Sequence, residues 1–181
     1  MIFCAPYTKR SDSDLVALIS KGDSKAFHEI LSRYQNPVYG FAFSIIRDIH
    51  EAEDICQEVF LRLYRTAETY CGSAALRTYL FRITRNLCID HLRKMRPETM
   101  TDPPEAVHAR TPLKNLCTAE LRSQIDLILS ELPANQRAAI HLRHEQEMSY
   151  QEIADTLEVT YHAVESLLSR ARKTFRSKFK F

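Results

Sequence analysis

The sequence predicts an all-α chain: two small helical domains joined by a proline-rich linker, the C-terminal one with a helix-turn-helix. Three observations predict it. Only three glycines and no tryptophan occur in 181 residues, and few β-branched residues alternate as strands require. Apolar residues recur at helical spacing in both halves. Four of the seven prolines, Pro97, Pro103, Pro104 and Pro112, fall in RPETMTDPPEAVHARTP, which cannot be a continuous helix. That stretch divides a helical unit at 11–96 from a second at 119–178 and leaves 97–118 as the linker.

Within the first unit, Leu15, Leu18, Ile19, Ala26, Phe27, Ile30 and Leu31 predict two helices with a turn at KGDS. Pro37 then precedes VYGFAFSIIR, dense enough in apolar residues for a buried helix. In DIHEAEDICQEVFLRLYR, Ala52, Ile55, Cys56, Val59, Phe60 and Leu63 form a core stripe, with Glu51, Asp54 and Glu58 on the other side. Five acids and no Lys or Arg lie between Asp48 and Glu58. A solvated acidic face is the plain reading, and a docking face for a basic protein partner is the sharper one.

The next segment, TAETYCGSAALRTYLFRITRNLCIDHLRKMR, opens with a loop containing Gly72 and Ser73. It continues as a helix whose predicted core positions are Leu76, Leu80, Ile83 and Leu87. At about 100° per residue, Arg82, Arg85, Arg93 and Arg96 gather within roughly 80° on another side, with Asn86 at the edge. From Arg77 to Arg96 six Lys/Arg stand against the single acid Asp90, a surplus suited to phosphates. Tyr70 and Tyr79 lie beside this ridge, either as core residues or as rings on which an unstacked base rests.

The C-terminal unit is read by angle. Ser149 and Glu152 form an S-x-x-E capping box ahead of Ile153, Ala154 and Leu157, and Thr160 caps the following helix. On that helix Ala163, Val164, Leu167, Leu168 and Ala171 share an arc of roughly 140°. Tyr161, His162, Glu165, Ser166, Ser169, Arg170 and Lys173 take the rest. Joined through Glu158, Val159 and Thr160, the two helices fit either a helix-turn-helix or an ordinary αα-hairpin. Six Lys/Arg against one acid between Glu165 and Phe181 favour the DNA reader.

Composition bounds the function. An apolar content of 45% and a formal net charge of +2 describe a soluble globular protein whose basic residues are segregated rather than numerous. No apolar run approaches the ~18 residues that span a bilayer, and MIFCAPYTKR lacks a signal-peptide core. A cytoplasmic location is therefore expected. The five cysteines, Cys4, Cys56, Cys71, Cys88 and Cys117, lack any C-x-x-C pair and read as reduced thiols, Cys56 and Cys88 as small core residues. No H-E-x-x-H, P-loop, nucleophile elbow or dinucleotide fingerprint occurs, so no catalysis, cofactor, metal or small-molecule substrate is expected.

The order of acidic helix, loop, arginine-ridged helix, proline linker and helix-turn-helix with a basic tail resembles the extracytoplasmic-function sigma factors. These are the group 4 members of the sigma-70 family. The resemblance rests on EAEDICQEVFLRLYR, LRTYLFRITRNLCIDHLR, LPANQRAAIHLR and MSYQEIADTLEVTYHAVESLLSRAR. It implies that Asp54, Gln57 and Glu58 bind the clamp helices of the largest subunit of bacterial RNA polymerase core. It assigns Tyr70, Gly72, Ser73, Arg77, Tyr79, Arg82, Arg85 and Asn86 to recognition and melting of the promoter −10 element. It assigns His162, Glu165, Ser166, Ser169, Arg170 and Lys173 to reading the −35 element as duplex. It also implies an anti-sigma factor, often membrane-bound in this family, that covers the same faces.

The chain departs from the family pattern at four places. Tyr64 and Tyr79 stand where tryptophan is usual, Glu158 precedes Val159 where glycine is common, and the typical T-V-K-S-R is Ala163 to Leu167 with Glu165 inside it. The alternative class is an autonomous helix-turn-helix regulator, predicted to dimerise and to bind duplex tightly without polymerase.

Overall fold

The computed structural model describes residues 7–70, 75–95 and 116–179, the side chains of 116–122 excepted. Short polar side chains start several of its helices. Ser11 opens α1 (Asp12–Ile19) by accepting the N–H of Asp14 at 3.2 Å. Asp23 opens α2 (Ser24–Ile46), accepting from Lys25 and Ala26 at 2.9 and 3.2 Å. Asp48 opens α3 (Ile49–Thr66) through the N–H of Glu51 at 3.1 Å. Each cap satisfies an amide that the helix leaves unpaired and contributes about 1 kcal/mol. A 3-10 turn at Tyr7–Lys9 precedes α1 and is tied to α2, where Arg33 donates to the carbonyls of Tyr7 and Thr8 at 3.0 and 3.1 Å.

Pro37 lies inside α2 rather than ahead of a separate helix. A proline there removes one backbone donor and crowds the carbonyl four residues earlier. Ile30, Val38 and Phe41, on both sides of it, are nevertheless fully buried in one core, and that shared burial outweighs the missing bond. On α3 all six predicted stripe residues, Ala52, Ile55, Cys56, Val59, Phe60 and Leu63, are buried.

The chain continues as α4 (Leu76–Met95), α5 (Leu116–Ser130), α6 (Ala134–His144), α7 (Tyr150–Leu157) and α8 (Tyr161–Lys178). Among the described residues there is no strand. The predicted capping box is present: Glu152 N–H donates to Ser149 Oγ at 3.2 Å, and Ser149 N–H to Glu152 Oε2 at 2.8 Å. Thr160 caps α8 through the N–H of Ala163, also at 3.2 Å. Between α7 and α8 run the three predicted turn residues, and Glu158 takes a left-handed backbone with φ 53° and ψ 46°.

The core stripe of α4 differs from expectation. Leu76 and Leu80 are buried, but Ile83 and Leu87 are half-buried, while Phe81, Thr84 and Cys88 point into the core. A second neighbour explains the rotation: α4 packs on α2 and α3 with one flank and on α7 with another. Phe81 meets Phe41 edge to face, with ring centroids 5.2 Å apart.

The two helical units thus share one continuous core. Helix α6 lies on α2, where the His141 ring sits 5.6 Å from that of Phe41. Arg137 reaches the C-terminal end of α2, donating to the carbonyls of Ser44 at 2.8 Å and Ile45 at 2.7 Å and, on its own side, to that of Leu132. A guanidinium placed there satisfies carbonyls that the helix end leaves open and faces the negative end of its dipole.

Cys56 and Cys88 are buried as predicted, and burial pushes their thiols up to about 11 and about 12. Cys4, Cys71, most of the predicted linker and the side chain of Cys117 lie outside the described residues. Among the described residues no helix is long and apolar enough to cross a membrane.

Candidate nucleic-acid interface

Three surfaces carry the predicted site residues, and the fold places each on a different helix. On α3, the stripe of six buried residues turns Asp54 and Gln57 to solvent and leaves Glu58 partly exposed. Glu58 accepts from Arg62 Nε at 2.8 Å, one turn on, and that hydrogen bond holds its carboxyl below the usual range. The same face continues into Leu61 and Tyr64, about half exposed at 48% and 52%. An acidic head followed by an apolar tail suits protein docking better than a merely solvated helix does. Sequence reasoning passed over Leu61, although its place one turn beyond Gln57 on the uncovered side was readable from the stripe.

The basic helix α4 carries the second surface. Tyr79 packs against Tyr70 with ring centroids 5.2 Å apart and shares a hydrogen bond of 2.9 Å with Thr66 Oγ1. Both tyrosines are half-buried, so each offers one ring face at most. Gly72, Ser73 and Arg96 lie outside the described residues. Arg82 is half-buried, and Arg93 is exposed beside Asp90 at 3.1 Å. Arg77 points toward Gln146 Oε1 at 3.5 Å.

Arg85 does not face solvent as Arg93 does. Its Nη1 donates to Asn86 Oδ1 at 2.9 Å and to Glu158 Oε2 at 3.2 Å, and its side chain is only 19% exposed. The predicted ridge is therefore divided: Arg93 is exposed beside Asp90, whereas Arg85 is engaged with Glu158 at the turn between α7 and α8 and with Asn86 beside it.

The third surface is α8. Val164, Leu168 and Ala171 are buried, and His162, Glu165, Ser166, Ser169, Arg170 and Lys173 are all exposed. His162 Nδ1 pairs with Glu165 Oε2 at 3.1 Å. Further along, Ser169, Arg172, Lys173 and Arg176 line a shallow hollow, a shape and charge that fit a phosphate. Arg172 also donates to Tyr150 Oη at 3.0 Å, which ties the hollow to the start of α7. Arg172 and Arg176 extend the predicted reading face; the basic count of the tail contained them, but angle alone did not assign them.

Residues 30–97 match the model of sigma-70 region 2, and residues 122–175 match that of sigma-70 region 4. The RNA polymerase sigma-H factor of Pseudomonas aeruginosa is 32% identical over 178 residues, 92% of each chain. The ECF RNA polymerase sigma-E factor of Haemophilus influenzae is 31% identical over 93% of this chain and 95% of its own. The chain belongs to the extracytoplasmic-function sigma factors.

Among solved structures, the sigma factor RpoE of Bartonella quintana, in complex with the anti-sigma factor NepR, superposes with a TM-score of 0.67. The match covers 84% of this chain and 96% of that one at 23% identity and supports the fold. In this sigma factor, the acidic face of α3 and the basic helix α4 fall within the region 2 match. The turn at Glu158 and the exposed polar face of α8 fall within the region 4 match. The alternative expectation of an autonomous regulator finds no support in either match.

Proposed function

We propose that this alternative sigma factor binds bacterial RNA polymerase core through the α3 face of Asp54, Gln57 and Glu58, extended by Leu61 and Tyr64. Helix α4, with Arg77, Tyr79, Arg82, Arg85 and Asn86, then holds the −10 element and favours its opening. Helix α8 reads the −35 element as duplex through His162, Glu165, Ser166, Ser169, Arg170 and Lys173. The observation that carries this reading is the exposure of all six α8 residues on a helix whose opposite face is buried. A helix so presented enters a major groove without unpacking its own domain.

The division of labour follows from chemistry. Reading duplex requires a rigid helix with polar side chains, whereas opening requires a positive surface and flat groups for an unpaired base. Two modest DNA contacts held on one large enzyme gain from effective concentration. The domains of the proposal are region 2-like at 11–96 and region 4-like at 119–178, with 97–118 between them. A polymerase partner places the protein in the cytoplasm. The sigma factor RpoE of Bartonella quintana is bound by an anti-sigma factor in its structure. By that likeness an anti-sigma factor is proposed here, competing with polymerase for Asp54 and Glu58.

Mixing the purified chain with bacterial core polymerase tests the reading. A stable complex that retains promoter duplex, when neither component does so alone, is expected. Tight duplex binding by a dimer of the chain, indifferent to polymerase, would favour the autonomous regulator instead.

A further inference from the structure

We infer that Glu165 selects a cytosine in the −35 element: one of its carboxylate oxygens accepts the amino group of the base while His162 holds the other. The inference rests on the proposed reading of −35 duplex by α8 and adds which base one of its side chains requires.

Glu165 is the one acid of α8, a helix that goes on to carry Arg170, Arg172, Lys173, Arg176 and Lys178. Folding gives little reason for it. It stands five residues beyond the Thr160 cap, and the pull of a helix N-terminus on an acid fades within the first turn. Its neighbours one turn away on α8 are Tyr161, His162, Leu168 and Ser169, so neither Lys nor Arg pairs with it along the helix. The contact it makes, from His162 Nδ1 to Oε2 at 3.1 Å, joins side chains 91% and 49% exposed, a setting in which an ion pair adds little stability. On a face suited to phosphates, a solvated carboxylate lowers affinity for every duplex. That loss is recovered only where a base supplies a donor.

The place of Glu165 on the helix fits that donor. Thr160 starts α8, and the N-terminal residues of a helix that enters the major groove meet base edges. Glu165 lies in the second turn, and Arg172 and Arg176 of the basic hollow follow it on the same side, about 10 and 16 Å further along at 1.5 Å per residue. One stripe therefore offers an acceptor to the bases first and cations to the backbone after it. In the major groove cytosine shows an amino donor. Guanine and thymine show acceptors, and adenine sets the N7 acceptor beside its amino group, which a carboxylate repels. Because a carboxylate only accepts, His162 Nδ1–H donates to Oε2, and Oε1 has no hydrogen-bond partner among the described residues. A single free acceptor held in this way matches cytosine better than any other base.

The test uses the full-length chain as wild type, Glu165→Gln, Glu165→Ala and His162→Ala. Thermal melting reads folding, and selection from a pool of randomised duplexes, sequenced before and after binding, reads base preference. Wild type is expected to favour cytosine about tenfold at one position of its motif, the discrimination that one good base contact supplies. Glu165→Ala is expected to melt like wild type, to lose the preference at that position while keeping those beside it, and to bind a mixed-sequence duplex about threefold more tightly. Glu165→Gln, whose amide both donates and accepts, is expected to move the preference to adenine. His162→Ala is expected to lose part of the cytosine preference at that position alone, which a role in helix stability would not produce. A wild-type motif without a cytosine position, in the pool and in initiating promoters alike, or a cytosine position that survives in Glu165→Ala, overturns the assignment. Transcription by core polymerase from promoters randomised at −35 separates the two ideas. Initiation by wild type from motifs that Glu165→Ala leaves unchanged removes the cytosine contact alone. A cytosine preference in the duplex pool with no initiation from any protein removes the sigma reading and leaves the contact standing.

Discussion

Arg137 donates to the carbonyl of Ile45 at 2.7 Å across 92 positions of sequence, fastening α6 to the C-terminal end of α2. Burial, with Arg47 nearby as the smaller cause, lowers this guanidinium to about 10. It remains charged at neutral pH and spans both helical units. Replacing it leaves the carbonyls of Ser44 and Ile45 without this donor. We expect Arg137→Met to lower stability by about 2–3 kcal/mol in urea denaturation. Arg137→Lys, which cannot fork to two carbonyls in one plane, is expected to recover less than half.

His141 gives the same interface a pH dependence. Burial against α2 lowers its imidazole to about 4, and its Nε2 is buried without a hydrogen-bond partner among the described residues. A depressed base is neutral when folded and binds a proton when unfolded below about 6.5. Its contribution is therefore complete above pH 6.5 and is lost as pH falls toward 4, by about 2 kcal/mol at pH 5. Denaturation midpoints measured between pH 7 and 5 should fall for wild type and fall markedly less for His141→Leu.

Substitutions on α3 separate docking from folding. Asp54 and Gln57 are exposed and Glu58 is partly so, its ion pair with Arg62 lying at the surface. Asp54→Lys with Glu58→Lys should leave the denaturation midpoint nearly unchanged while weakening core polymerase binding at least tenfold. Leu61→Glu is expected to act in the same direction. Retention of full affinity by the charge-reversal pair for both polymerase and an anti-sigma partner would remove this face from the account.

On α4, Arg82→Ala with Arg85→Ala should slow promoter opening, read by permanganate reactivity of unpaired thymines, about tenfold or more. Affinity for core polymerase should change less than twofold, because neither residue lies on the α3 face. Equal loss of both activities would count against the ridge assignment.

Much of this was legible in the residues themselves. The α3 stripe, the Ser149 and Glu152 capping box, the Thr160 cap and the three-residue turn follow from local spacing, and each is present. The family resemblance, rather than spacing, marked Glu158 as standing where glycine is common, and its backbone is left-handed. What escaped the sequence depends on neighbours distant in the chain. The core face of α4 is rotated because α7 covers a second flank, and Pro37 sits within α2 because a shared core binds both sides of it. Arg137 and Arg85 resemble any surface arginine in sequence; only the packing of α6 on α2 and of α7 on α4 shows that they bind across the interface.

The central claim is promoter-specific initiation, and transcription from a randomised promoter library by bacterial core polymerase, with and without the purified chain, tests it most directly. The account predicts that transcripts appear only with the chain present and that their promoters share paired motifs near −35 and −10. Transcription that is no greater with the chain than without it, or starts that share no motif pair, would contradict it.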